Sequence, residues 1–199
     1  PSDRLENDRL RVAFNPDGTI ASLFDKEEGR EILRKNTVGN ALMLYDDEYT
    51  HWDINKGYLT CTPEQAKRVS SSGFVRGVVQ GIAMEYTIGR SRILQTVTLK
   101  DGSRQLDFET TVEWNETYKM LRASFPVDIV TDTARCEIQY GHIQRPTHQN
   151  TTWDQAKFEV CCHKYADLSE PSYGVALLND CKYGVSVEGG RIALSLAKG

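Results

Sequence analysis

The chain has 199 residues, with 39% hydrophobic and 26% charged side chains and a net charge of −4. That length supports one large β domain or two small ones with a core of their own, so no metal or disulfide staple is needed. The acidic balance argues against nucleic acid or an anionic membrane as the main partner. No apolar run of about 18 residues is available to span a bilayer, and the opening Pro-Ser-Asp-Arg-Leu-Glu-Asn lacks an apolar signal core.

Taken in chain order, the pattern reads β almost throughout. Leu10, Val12 and Phe14 alternate with polar residues, Asn15-Pro16-Asp17-Gly18 supplies turn chemistry, and Ile20 to Phe24 returns as a hairpin. Helical turns are expected near Pro63–Val69 and around Asp154–Ala156, and Ser70-Ser71-Ser72-Gly73 reads as a short flexible loop. Strands are expected over Phe74–Val79 and Ile82–Ile88, flanking Gln80-Gly81. Ile93–Lys100 leads through Asp101-Gly102 into a return strand. There Leu106, Phe108, Val112 and Trp114 face one way, with Asp107, Glu109, Thr111 and Glu113 opposite. Leu121, Ala123, Phe125 and Val127 alternate likewise, as do Cys136, Ile138 and Tyr140, then Phe158, Val160 and Cys162. Val175–Leu178, Val185–Val187 and Ile192–Leu196 finish the chain. So many short strands imply an all-β fold of two packed sheets, an antiparallel β-sandwich. No repeat or linker divides residues 1–199. The end at Ala197-Lys198-Gly199, directly after a strand, reads as a domain cut from a longer protein.

The five cysteines are Cys61, Cys136, Cys161, Cys162 and Cys181. The number is odd, no CxxC spacing occurs, and adjacent Cys161 and Cys162 on a strand would face opposite ways. They read as small buried thiols in a reducing compartment. Asn115-Glu116-Thr117 and Asn150-Thr151-Thr152 fit the glycosylation pattern, which chance also supplies.

Gly141 to Asp154 has little apolar periodicity and is expected to be a long loop. It concentrates His142, Arg145, His148, Asn150, Trp153 and Asp154. Planar amides and charges bind sugar hydroxyl pairs and an aromatic face covers the ring, so the loop is a carbohydrate-facing candidate. A loop that satisfies its own backbone over a sheet edge explains the same residues. Trp52 and Asp53 form a second candidate subsite, and Asn179–Gly184 reads as a hairpin turn. Glycoside hydrolysis usually needs two carboxylates flanking the bond. No recognisable pair occurs here, nor a metal-ligand, GxSxG or phosphate-loop pattern.

The stretch Arg145 to Val160 (RPTHQNTTWDQAKFEV) closely resembles a segment of glycoside hydrolase family 38 α-mannosidases of the cytosolic type. The resemblance continues through Asp167-Leu168-Ser169-Glu170 and Tyr173–Gly184. It also includes Leu5-Glu6-Asn7, Phe14–Ile20 and Phe24-Asp25-Lys26 at the start. It implies a galactose-mutarotase-like supersandwich and a cytoplasmic parent enzyme. That parent would hydrolyse α-mannosides with retention, using zinc or another divalent metal. It implies that nucleophile and metal ligands lie in an N-terminal catalytic domain with no counterpart here. No catalytic residue or cofactor is therefore assigned to this chain, which alone should be inactive. The implied partners are the α-mannoside substrate, the missing catalytic domain and, by family, a further copy of the enzyme. Arg145, His148, Asn150, Trp153 and Asp154 are the expected substrate-facing residues, with Trp52 and Asp53 secondary. A stand-alone carbohydrate-binding module and a purely structural domain are the alternatives.

Overall fold

The computed structural model describes residues 3–47 and 53–199; Trp52 lies outside the described residues. The first sheet is a meander of β1 (Arg4–Glu6), β2 (Leu10–Phe14), β3 (Ile20–Asp25) and β4 (Arg30–Glu31). The chain continues through β5 (Ala41–Asp46), a 3₁₀ turn at Lys56–Thr60 and β6 (Glu64–Gln65). It then forms a second meander, β7 (Lys67–Arg76), β8 (Val79–Ile88), β9 (Ser91–Lys100) and β10 (Leu106–Glu113). After β11 (Lys119–Pro126) come β12 (Thr133–Ile138), β13 (Gly141–Pro146), the one-turn α1 (Thr152–Gln155) and β14 (Val160–Cys161). The chain closes with β15 (Tyr165–Glu170), β16 (Tyr173–Leu178), β17 (Gly184–Glu188) and β18 (Arg191–Lys198). The third sheet has the order β14-β17-β18-β11-β5-β6 and the fourth β13-β12-β15-β16.

The all-β, antiparallel expectation holds, but the sandwich and supersandwich do not. The strands divide into four small sheets arranged as a propeller-like ring. Side chains and loops join each sheet to the next. Gln80 on β8 accepts from the Glu6 backbone at 2.8 Å, linking the first sheet to the second. Asn40, just before β5, donates to Gln95 on β9 at 2.7 Å, linking second and third. The Gly189 N–H donates to the Thr147 carbonyl at 2.8 Å, linking third and fourth. Tyr173 on β16 donates to Asp25 on β3 at 3.0 Å, closing the ring. Strand alternation cannot distinguish these arrangements, because a half-buried strand needs an apolar neighbour on one face whichever sheet supplies it.

All four sheets contribute to one apolar centre that includes Val12, Ile20, Val97, Leu99, Leu121, Leu168 and Val185. Full burial of such a side chain contributes about 1.5–3 kcal/mol. The Asn15–Gly18 hairpin forms as expected. Gly18 has φ +87°, and a side chain there would collide with the Tyr86 ring, so glycine is required. Other local expectations fail. Pro63–Val69 enters β6 and β7 rather than a helical turn, and the serine run lies inside β7. The turn between β7 and β8 falls at Gly77-Val78, which leaves Gln80-Gly81 within β8. Gly141–Pro146 is strand β13, not loop. It is an edge strand whose first four residues are exposed, so neither face carries the apolar alternation that announces a strand.

Candidate functional site

The segment from Thr147 to Glu159 leaves the β13 edge and returns to β14. Its base is fixed by buried Thr147. That residue's hydroxyl donates to the Thr131 carbonyl at 2.7 Å, and its N–H donates to the Asp132 carbonyl at 2.9 Å. Thr151 then caps α1 in a reciprocal box. The Asp154 N–H donates to the Thr151 hydroxyl oxygen at 3.1 Å, and the Thr151 N–H donates to the Asp154 carboxylate at 3.2 Å. The Thr151 hydroxyl also donates to Asp154 at 2.7 Å and is the main cause holding that carboxyl below its ordinary range.

This frame sorts the expected site residues. His148, Asn150, Trp153 and Asp154 share one short loop. His148 Nδ1 accepts from the Asn150 N–H at 3.4 Å and stands 3.7 Å from the Asp154 carboxylate. Trp153 is 79% exposed. Arg145 is half-buried on β13, on the face that carries Cys136 of the neighbouring strand, and its buried Nε has no hydrogen-bond partner among the described residues. Asp53 is exposed and accepts from the Ile54 N–H at 2.8 Å, while its carbonyl accepts from Lys198.

His148 and Asp154 border a shallow cleft, with Leu59, Pro146, Phe158 and Arg191 on its other sides. Its free space is about that of a single water, far below the several hundred Å³ of a complete small-molecule site.

Behind the cleft lies a buried polar cluster that sequence reasoning missed. Arg122 on β11 pairs with Glu159 at 2.9 Å, both nearly inaccessible. Arg122 also donates to the Tyr58 hydroxyl at 2.7 Å, Ser186 at 2.8 Å and the Ala193 carbonyl at 3.0 Å. Ser195 donates to the other Glu159 oxygen at 2.7 Å. Burial pushes the Glu159 carboxyl above its ordinary range despite the guanidinium beside it, and burial likewise raises Tyr58. The alternation of Leu121, Ala123 and Phe125 put Arg122 on a solvent face. The available signal was Met120, an apolar residue on that same face, since an interior strand of the six-stranded sheet is covered on both sides.

Chemically, the cluster binds Tyr58 of the 3₁₀ turn and the return of the loop to the third sheet. Asp154 is hydrogen-bonded within its cap and Glu159 is paired with Arg122. Among the described residues no group of three His, Cys, Asp or Glu side chains fits a metal ion.

The family model for the glycosyl hydrolases family 38 C-terminal domain matches residues 5–199. Alpha-mannosidase G of Dictyostelium discoideum is 41% identical over 98% of this chain and 19% of its own length. Human alpha-mannosidase 2C1 is 40% identical over the same shares. The chain thus spans about a fifth of these relatives. An α-mannosidase from Enterococcus faecalis has the same fold, with TM-score 0.84 at 17% identity, over 99% of this chain and 26% of its own. The chain belongs to glycosyl hydrolase family 38, as its C-terminal domain.

Proposed function

We propose that this domain supports one wall of the sugar pocket of a retaining, metal-dependent α-mannosidase, while the nucleophile and metal ligands reside elsewhere in the parent polypeptide. The observation that carries this reading is the exposed Trp153 on a loop fixed at both ends, within a domain that is a fifth of its relatives' length. An exposed tryptophan on a rigid loop offers a flat apolar face suited to a sugar ring. Asn150 and His148 offer hydrogen bonds beside it. The half-buried Arg145 favours a structural role for that residue. Among the described residues no cluster of His, Cys, Asp or Glu fits a metal ion, which supports a metal of the parent held outside this domain. The free cysteines support a reducing, cytoplasmic setting.

The test is Trp153→Ala in the full parent enzyme. A fall in kcat/KM of roughly tenfold or more, with unchanged unfolding midpoint, supports the wall. Unchanged kinetics would remove Trp153 from the pocket and leave a structural domain. Asn150→Ala and His148→Ala separate the polar contribution from the aromatic one.

A further inference from the structure

The outward face of the second sheet carries an open groove. Cross-strand register lays its side chains in rows. Ser72, Ala83, Thr96 and Glu109 stand side by side across all four strands. The next row is Phe74, Gly81, Thr98 and Asp107, and a third runs from Arg76 through Val79 to Lys100. The opposite face of β8 and β9 is buried through Ile82, Met84, Val97 and Leu99, so these rows point away from the core. Gly81 makes room at the middle. A Cβ there would lie 2.4 Å from the Phe74 ring and 3.0 Å from the Thr98 methyl, so glycine is what lets the ring lean over the sheet. The Arg76 guanidinium stands over that ring, 4.9 Å from its centroid. Glu109 lines the groove from the β10 side. The free space is about 590 Å³, the size of a small-molecule site. Three strand spacings of about 4.8 Å make the groove roughly 14 Å across.

We propose that this groove binds a neutral, hydroxyl-rich oligosaccharide. Its charges are balanced, with Arg76 and Lys100 in rows adjoining those of Asp107 and Glu109. A phosphate would meet the two carboxylates and a metal ion the two cations, whereas an uncharged polyol meets neither penalty. The hydrogen bonds of this face run elsewhere, from Ser70 and from Arg92 to Glu85. Ser72, Arg76, Thr96, Thr98 and Glu109 line the groove and have no side-chain hydrogen-bond partner among the described residues. Arg76 is steadied by the Phe74 ring, so its donor fork meets a pair of adjacent hydroxyls at reduced ordering cost. Glu109 accepts from a hydroxyl, and Thr96 and Thr98 both donate and accept. Phe74, Val79 and Ala83 supply apolar contact for the C–H faces of the sugar rings. A groove crossing four strands takes a short chain of sugars rather than one ring. The site lies on the second sheet and Trp153 on the segment between the fourth and third, so the inference does not rest on the pocket wall.

The test is a titration of the chain with mannotriose, maltotriose and inorganic phosphate, followed by amide chemical shifts. The proposal expects saturable shifts at Phe74, Gly81, Thr96 and Thr98 with at least one trisaccharide, at a dissociation constant on the order of a millimolar, and none there with phosphate. Ala83→Leu, which fills the floor, and Arg76→Ala should each weaken that binding about fivefold or more. No shift on this face with either trisaccharide at ten times that concentration would overturn the proposal, as would phosphate binding there in preference to sugar. Shifts confined to residues 147–159 would also overturn it while leaving the pocket wall standing. Loss of the groove shifts in Trp153→Ala would show that the two surfaces are one site and overturn a separate groove. The unsubstituted chain decides the matter even where a variant fails to fold.

Discussion

At the scale of single residues, two buried ionisable groups carry opposite pH signatures. Burial opposes ionisation of Asp25, but the Glu28 N–H, the Tyr173 hydroxyl and the Glu27 N–H together hold its carboxyl below the ordinary 3.8. Tyr173 is itself pushed up to about 12 by burial and by that bond. A depressed folded-state value means that the stabilisation is present above the unfolded value and is lost as pH falls through the folded one. Asp25→Asn should therefore lower stability near neutral pH by about 1–2 kcal/mol and flatten the acid limb of a urea-midpoint profile below about pH 4. An unaltered acid limb would contradict the assignment. Glu159 behaves in reverse. Its raised value means that the folded chain holds the proton more firmly than the unfolded one, so this group's contribution falls as pH rises above the ordinary 4.5. Arg122→Leu leaves that carboxylate buried without its cation and should cost about 3–5 kcal/mol by urea denaturation. The double change Arg122→Leu with Glu159→Leu should recover much of the loss. A single-variant loss under about 1 kcal/mol would mean that water reaches the cluster.

At the scale of elements, the loop that carries the candidate surface depends on its cap. Thr151→Ala removes one half of the box and should cost about 1 kcal/mol. Amide exchange should rise selectively over residues 148–156. Trp153→Ala should leave stability within about 0.5 kcal/mol, because the ring is exposed. Equal losses for the two variants would show that Trp153 packs rather than faces ligand. Legibility in the sequence follows the same division. Hairpins with an apolar face and a glycine turn, such as β2–β3 and β9–β10, were readable because periodicity and turn chemistry agree. β13 was not, since an edge strand exposed on both faces has no alternation. The Thr151–Asp154 spacing could have located α1 within a residue. Arg122 was hidden because alternation assigns the second face of a strand to solvent by default.

At the scale of the whole molecule, strand count and polarity gave the class, while the packing of strands into sheets stayed out of reach. Gln80, Asn40, Gly189 and Tyr173 join four sheets into a ring through contacts remote in sequence, and no local pattern announces them. The recognisable stretch from Arg145 to Gly184 gave the family directly, yet it did not say which side chains turn outward. Trp153 is exposed, and Arg145 is half-buried. The ring leaves the chain with a complete apolar centre of its own. Its pairings of high sequence separation should make refolding slow, on the order of milliseconds to seconds, and cooperative. Separate unfolding transitions by tryptophan fluorescence and far-ultraviolet dichroism would contradict a single cooperative unit.

The most direct measurement compares hydrolysis of a chromogenic α-mannoside by this purified chain and by the full parent enzyme, each with added zinc or cobalt. Turnover by the parent and none by the folded chain is the result expected of a supporting wall. Turnover by the chain alone would place the nucleophile within these 199 residues and would require the Thr147–Glu159 segment to be read as an active site.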